Sequence, residues 1–139
     1  MNETIVARRA LPLPVIGAVA VAVTALILYG YGSAVQALGV PMHAGEIGAS
    51  HADAITPGSF ASGVALCGTI GIVLAIVLAR FAAHPAARWT RITVTLVAIS
   101  LIFPLSASHA SVSTRIALAG GHLVAAAVII PVIRGRLRR

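Results

Sequence analysis

Two groups of ionisable side chains interrupt an otherwise apolar chain. His43, Glu46, His51 and Asp53 fall within eleven residues, and Arg115 and His122 stand seven apart. Imidazole and carboxylate are ligands for zinc or another divalent metal, so the first group offers His43 and His51 as metal candidates. Its spacing matches no metal-binding motif, and a solvated polar loop is the better account of the same residues. No metal and no cofactor is therefore assigned.

The second group carries a different chemistry. Arg115 and His122 lie two turns apart on one helical face, about 10 Å along the axis. An ionisable group inside hydrocarbon marks a functional site by default and is expected to face the bundle interior. The two side chains would then form the ends of a polar pocket open to the outer face. Glu46 and Asp53 are further ligand-binding candidates there, and the pocket would take an anionic or polar ligand. A plainer reading stands beside it. His122 would donate to a carbonyl of a neighbouring helix freed by Pro104, while Arg115 would snorkel to headgroups or pair with Glu46 or Asp53.

No catalytic residue is assigned. Nucleotide-binding, triad and haem-attachment motifs are absent. An acid or base could come only from His43, Glu46, His51, Asp53 and His109. Cys67 is the one cysteine, which excludes an intramolecular disulfide and paired-cysteine redox chemistry.

The elements that position these residues are long apolar runs. The chain is 59% hydrophobic and 9% charged, against about 25% charged for a soluble domain. Four predominantly apolar stretches run roughly over Pro14 to Leu38, Gly58 to Ala79, Thr90 to Ala107 and Ser113 to Ile133. Each is near the ~20 residues a membrane helix needs. The expected fold is all-α: a single domain, 1–139, forming an up-down-up-down transmembrane four-helix bundle.

Arginine sets the orientation. Arg8 and Arg9 precede the first stretch, Arg80, Arg88 and Arg91 separate the second from the third, and Arg134, Arg136, Arg138 and Arg139 follow the fourth. Only Arg115 lies on the other side. By the positive-inside rule both termini are cytoplasmic, and the protein is a multi-pass protein of the plasma membrane. The formal charge of +7 is carried on helix ends, where it meets anionic lipid headgroups, so nucleic acid is not an expected partner. The run after Arg9 is too long for a signal-peptide h-region and reads as a retained span. There is no lysine, as a GC-rich genome would favour.

Local signals refine this frame. Thr56-Pro57-Gly58 reads as a helix start, with a threonine cap and proline at the first helical position. Ser113 or Thr114 caps the fourth span. Pro104 kinks or terminates the third. Trp89 is placed as an anchoring indole at the inner interface. In the second span Ser59, Gly63, Cys67, Gly71, Ala75 and Ala79 recur every four residues. Such a row lets helices approach closely, which makes Gly63, Cys67 and Gly71 candidates for packing within the chain or for a homodimer.

Ala54-Ile55-Thr56-Pro57-Gly58-Ser59-Phe60-Ala61-Ser62, Ala87-Arg88-Trp89-Thr90, Leu105-Ser106, Ala119-Gly120-Gly121-His122-Leu123-Val124-Ala125-Ala126 and Pro131 together resemble a family of small four-helix integral membrane proteins of unknown function, mainly from high-GC Gram-positive bacteria. The resemblance extends over most of the chain from the first span. It implies the four-span topology and names no reaction. Gly120-Gly121 departs from the family pattern, in which the residue two before the histidine is often bulkier.

Three functions are open at this point. The first, and the preferred one, is a structural or accessory membrane component with a membrane-protein partner. The second is a small-molecule transporter or ligand-binding protein. The third is a membrane enzyme using the outer histidines and carboxylates. The first span has no acid, and the arginines are too unequally divided for dual-topology insertion. Both facts count against a small proton-coupled exporter.

Overall fold

The computed structural model describes residues 11–138. Arg8, Arg9 and Arg139, which contribute to the arginine asymmetry, lie outside the described residues. The helices are α1 (Leu13–Ala37), α2 (Pro57–Phe81), α3 (Pro85–Ser100), α4 (Ile102–Leu105) and α5 (Val112–Leu137). Two short strands, β1 (His43–Ala44) and β2 (Asp53–Ala54), form an antiparallel pair between α1 and α2. Leu13–Ala37, Pro57–Phe81, Pro85–Leu105 and Val112–Leu137 are each long and apolar enough to cross a membrane.

Prolines open three of these helices, at Pro14, Pro57 and Pro85. A first-turn N–H has no intrahelical partner to lose. Thr56 caps α2 as its sequence suggests: its hydroxyl accepts from Ser59 N, and Ser59 returns a bond to the Thr56 backbone. The cap of α5 is Ser111 rather than Ser113 or Thr114, its Oγ accepting from Thr114 N at 3.1 Å. Thr114 is instead fully buried, and donates across to Pro41 O.

The helices continue beyond the apolar stretches and into the arginines, because a helix need not end where hydrocarbon does. Thus Arg88, Trp89 and Arg91 sit inside α3. Pro104 has no N–H to offer Ser100 O one turn back. The helix accordingly breaks at Leu101 and resumes as the single turn α4.

α1 packs on α2 and α5, and α3 packs on α5 with a lighter contact to α2. One apolar cluster joins Val21, Leu28, Met42, Phe60, Val64 and Ala117. A second joins Ala75, Leu78, Trp89 and Ile133. Loop contacts define two ends. At the hairpin end the β1–β2 linker meets the α4–α5 turn. At the arginine end Arg136 donates to Leu11 O, and the α2–α3 turn lies beside Arg134 and Arg138.

The packing face of α2 differs from the row of small residues. Phe60, Val64 and Gly68 face inward, and a β-carbon at Gly68 would meet Val21. Gly63 has nothing within 4 Å of such a carbon, and Cys67 is exposed. Within one chain neither makes the expected helix contact. At Gly71 a β-carbon would lie 3.6 Å from Trp89 Cη2, an ordinary contact distance. The row is one residue out of phase with the inward face until the arginine end, where Ala75 becomes buried.

Trp89 is not an interfacial anchor. It is 1% exposed, and its indole N–H donates to Ile130 O at 3.1 Å. A buried indole needs such an acceptor, and here it ties α3 to α5.

Candidate functional site

The linker after α1 is an ordered cap. Gly39 and Gly48 turn with φ of 82° each, a conformation glycine adopts without steric cost. Gly45 and Ser108 exchange both backbone hydrogen bonds, at 2.8 and 3.1 Å. Gly48 N donates to Ser108 Oγ, Gln36 Nε2 to Ile55 O, and His109 Nε2 to Ala49 O. Polar side chains from the end of α1 and from the α4–α5 turn thus satisfy backbone groups of the linker and fix one layer over the bundle.

His43 and His51 are exposed, as are Glu46 and Asp53. The nearest approach is His51 Nε2 to Asp53 Oδ2 at 4.0 Å. A solvated pair at that separation holds little. Among the described residues no three histidine, cysteine, aspartate or glutamate side chains gather as a metal site would require.

Arg115 is held by carbonyls, not by carboxylates. Its guanidinium donates to Leu105 O at 3.2 Å and to Ala107 O at 3.0 Å. These carbonyls belong to the end of α4 and the turn beyond it, where no following helical N–H reaches them. Arg115 Nε is buried without a partner among the described residues. The expected pairing with Glu46 or Asp53 is not made, because the backbone acceptors lie closer to the helix from which Arg115 projects.

His122 is exposed, and its Nδ1 lies 2.9 Å from Leu118 O on its own helix. The expected placement facing the bundle interior is therefore not found, and a carbonyl of a neighbouring helix is not its partner. Ten residues past Val112, His122 sits about 15 Å along α5, near the middle of that span.

His122 and Glu46 line the same groove. Ala44, Gly45, Glu46 and Ile47 form its hairpin-end wall, Phe103, Pro104 and Ala107 its second side, and Leu118 and His122 its α5 side. Its volume is about 650 Å³, within the range of small-molecule sites. Asp53 is not part of it. Arg115 touches it only through Ala107, whose carbonyl it holds. Ile47 and Phe103, respectively 60% and 63% exposed, wall the groove and carry no sequence signal of their own. Pro104 is the nearest signal, since the helix break beside it opens the space.

Gly120 and Gly121 have a packing role behind the groove. Tyr31 donates to Ala117 O at 2.9 Å and meets Phe60 edge-on, with centroids 5.9 Å apart. A β-carbon at Gly120 would fall 2.5 Å from the Tyr31 hydroxyl, and one at Gly121 3.0 Å from Phe60. The paired glycines make room for these two rings.

These features define an all-helical transmembrane protein with a side groove under a docked hairpin. The chain belongs to the Family of unknown function (DUF6069), which matches residues 6–139. No curated protein and no solved structure matches it.

Proposed function

We propose that this is a plasma-membrane binding protein of a high-GC Gram-positive bacterium that holds a small amphiphilic molecule in the groove under its hairpin end. The arginine end is cytoplasmic and the hairpin end faces outward, on the strength of the arginine asymmetry. Arg80, Arg88, Arg134 and Arg138, all exposed at the arginine end, meet anionic headgroups there. The observation that carries the binding reading is His122. An exposed imidazole near the middle of a membrane helix, lining a groove with an apolar wall, is expensive to keep without a polar occupant.

Two experiments test this. A reporter enzyme active only outside the cytoplasm is silent when fused after Arg139 and active when inserted near Gly48; the reverse pattern overturns the orientation. For the groove, Phe103→Trp places a fluorophore on its wall. A bromine-bearing long-chain amphiphile should quench it saturably, above the constant emission of buried Trp89. Quenching that rises without saturation would rule the groove out as a site.

A second reading, an accessory component or homodimer, is favoured by the outward row of Ser59, Gly63 and Cys67, which no helix among the described residues covers. Bifunctional thiol cross-linking of native membranes through Cys67 tests it. A dimer-sized product supports self-association, and monomer alone counts against it.

A further inference from the structure

The groove's polar groups also identify the chemistry of its occupant, given that it is a binding site. The Leu118 carbonyl can only accept a hydrogen bond, so His122 Nδ1 carries the hydrogen of the 2.9 Å contact. In the neutral ring Nε2 is then a bare acceptor. It lies on the far side of the imidazole from the Leu118 carbonyl, so it is turned away from its own helix. The other polar side chain on the wall is Glu46, whose carboxylate is also acceptor-only when ionised. Among the described residues Glu46 has no ion-pair partner. Among the described residues no arginine lines the groove. The nearest, Arg115, has its terminal nitrogens committed to Leu105 O and Ala107 O.

The groove therefore presents two acceptors, one fixed negative charge and no cation. The rest of its wall is apolar: Ala44, Ile47, Phe103, Pro104, Ala107 and Leu118. An anion would meet the Glu46 charge with no donor side chain to offset it. A cationic donor head on an apolar chain satisfies both ends.

We infer that the groove binds an amphiphile with a primary ammonium head, its N–H groups donating to Glu46 and His122 Nε2 and its chain lying along Phe103 and Leu118. This reverses the charge of the ligand that Arg115 and His122 suggest by type alone. Arg115 is a structural clamp, and the recognising pair is Glu46 with His122. A charge-assisted hydrogen bond contributes roughly 1.5–3 kcal/mol, so the head preference is about tenfold or more in affinity.

The test uses the full chain carrying Phe103→Trp, with bromine-bearing dodecylammonium and dodecyl sulfate as matched probes in the same mild detergent. The ammonium probe is expected to quench saturably with a Kd about tenfold or more below that of the sulfate. Glu46→Gln should bring the two affinities together. His122→Ala should weaken the ammonium probe alone, with the melting temperature showing that the fold persists. Saturable quenching with equal affinities, or a preference that survives Glu46→Gln, overturns the ammonium inference and leaves the groove as a binding site. Quenching by neither probe overturns both.

Discussion

Gly68 and Val21 approach so closely that a β-carbon on Gly68 would fall 2.5 Å from Val21 Cγ2. α1 and α2 share the most extensive helix contact in the bundle, and this glycine sits within it. Gly68→Ala should therefore force the helices apart and destabilise the fold by about 1–3 kcal/mol, the usual range for overpacking. Gly63→Ala, five residues away with open space around it, should cost nothing and raise stability by up to about 1 kcal/mol through helix propensity. Thermal unfolding of the two variants in one detergent makes the comparison. Equal melting temperatures would mean that α1 and α2 do not pack through Gly68.

How much the sequence reveals differs by residue. The four helices are legible because length and apolarity are properties of the chain alone. The Thr56 cap is legible because its partner, Ser59, lies three residues on. The break near Pro104 is legible because a missing N–H acts on the next turn back. The inward face of α2 is not, since Gly63 and Gly68 are both small and only the position of Val21 decides between them. The roles of Arg115 and Trp89 are hidden for a related reason. Their acceptors are the backbone carbonyls of Leu105, Ala107 and Ile130, and every residue has one. The groove combines residues from the linker, α4 and α5, so no local spacing announces it.

Tyr31 and Gly120 should be energetically coupled. Tyr31→Phe removes the bond to Ala117 O and should cost about 0.5–1.5 kcal/mol. Gly120→Ala in the native background should cost more, because its methyl meets the Tyr31 hydroxyl and drives it from its acceptor. With Phe at position 31 that hydroxyl is gone, so Gly120→Ala should become much milder. A double-mutant cycle on unfolding free energies measures the difference. Strict additivity would show that the hydroxyl does not occupy the space over Gly120.

Arg115→Met keeps an unbranched apolar stem and removes the guanidinium donors. The carbonyls of Leu105 and Ala107 then lose their partners, at a cost of about 0.5–1.5 kcal/mol each. The loss should be local. Ser108, one residue beyond Ala107, holds Gly45 and Gly48, so the linker should loosen with the turn. Hydrogen exchange should accelerate at Gly45, Gly48 and Ser108 and stay unchanged around Trp89 at the other end. Faster exchange throughout the protein would assign Arg115 to global stability instead, and no change would remove it from the clamp.

Trp89 supplies the sharpest test of the arginine end, because it is the chain's one tryptophan. An interfacial indole is partly wet, emits at intermediate wavelength and is quenched by water-soluble acrylamide. Trp89 is instead 1% exposed against Ala75, Leu78 and Ile133, with its N–H on Ile130 O. Its emission should be blue-shifted and nearly insensitive to acrylamide in the folded protein, and should become quenchable on denaturation. Trp89→Phe should fill less of the space and leave Ile130 O without its side-chain donor. A cost of about 1–3 kcal/mol follows from the smaller ring and the lost bond. Ala75→Leu would crowd the same contact from α2 and should shift the emission of the remaining Trp89 toward the red. If native Trp89 were quenched by acrylamide as readily as a free indole, α3 would not be docked on α5 through this residue.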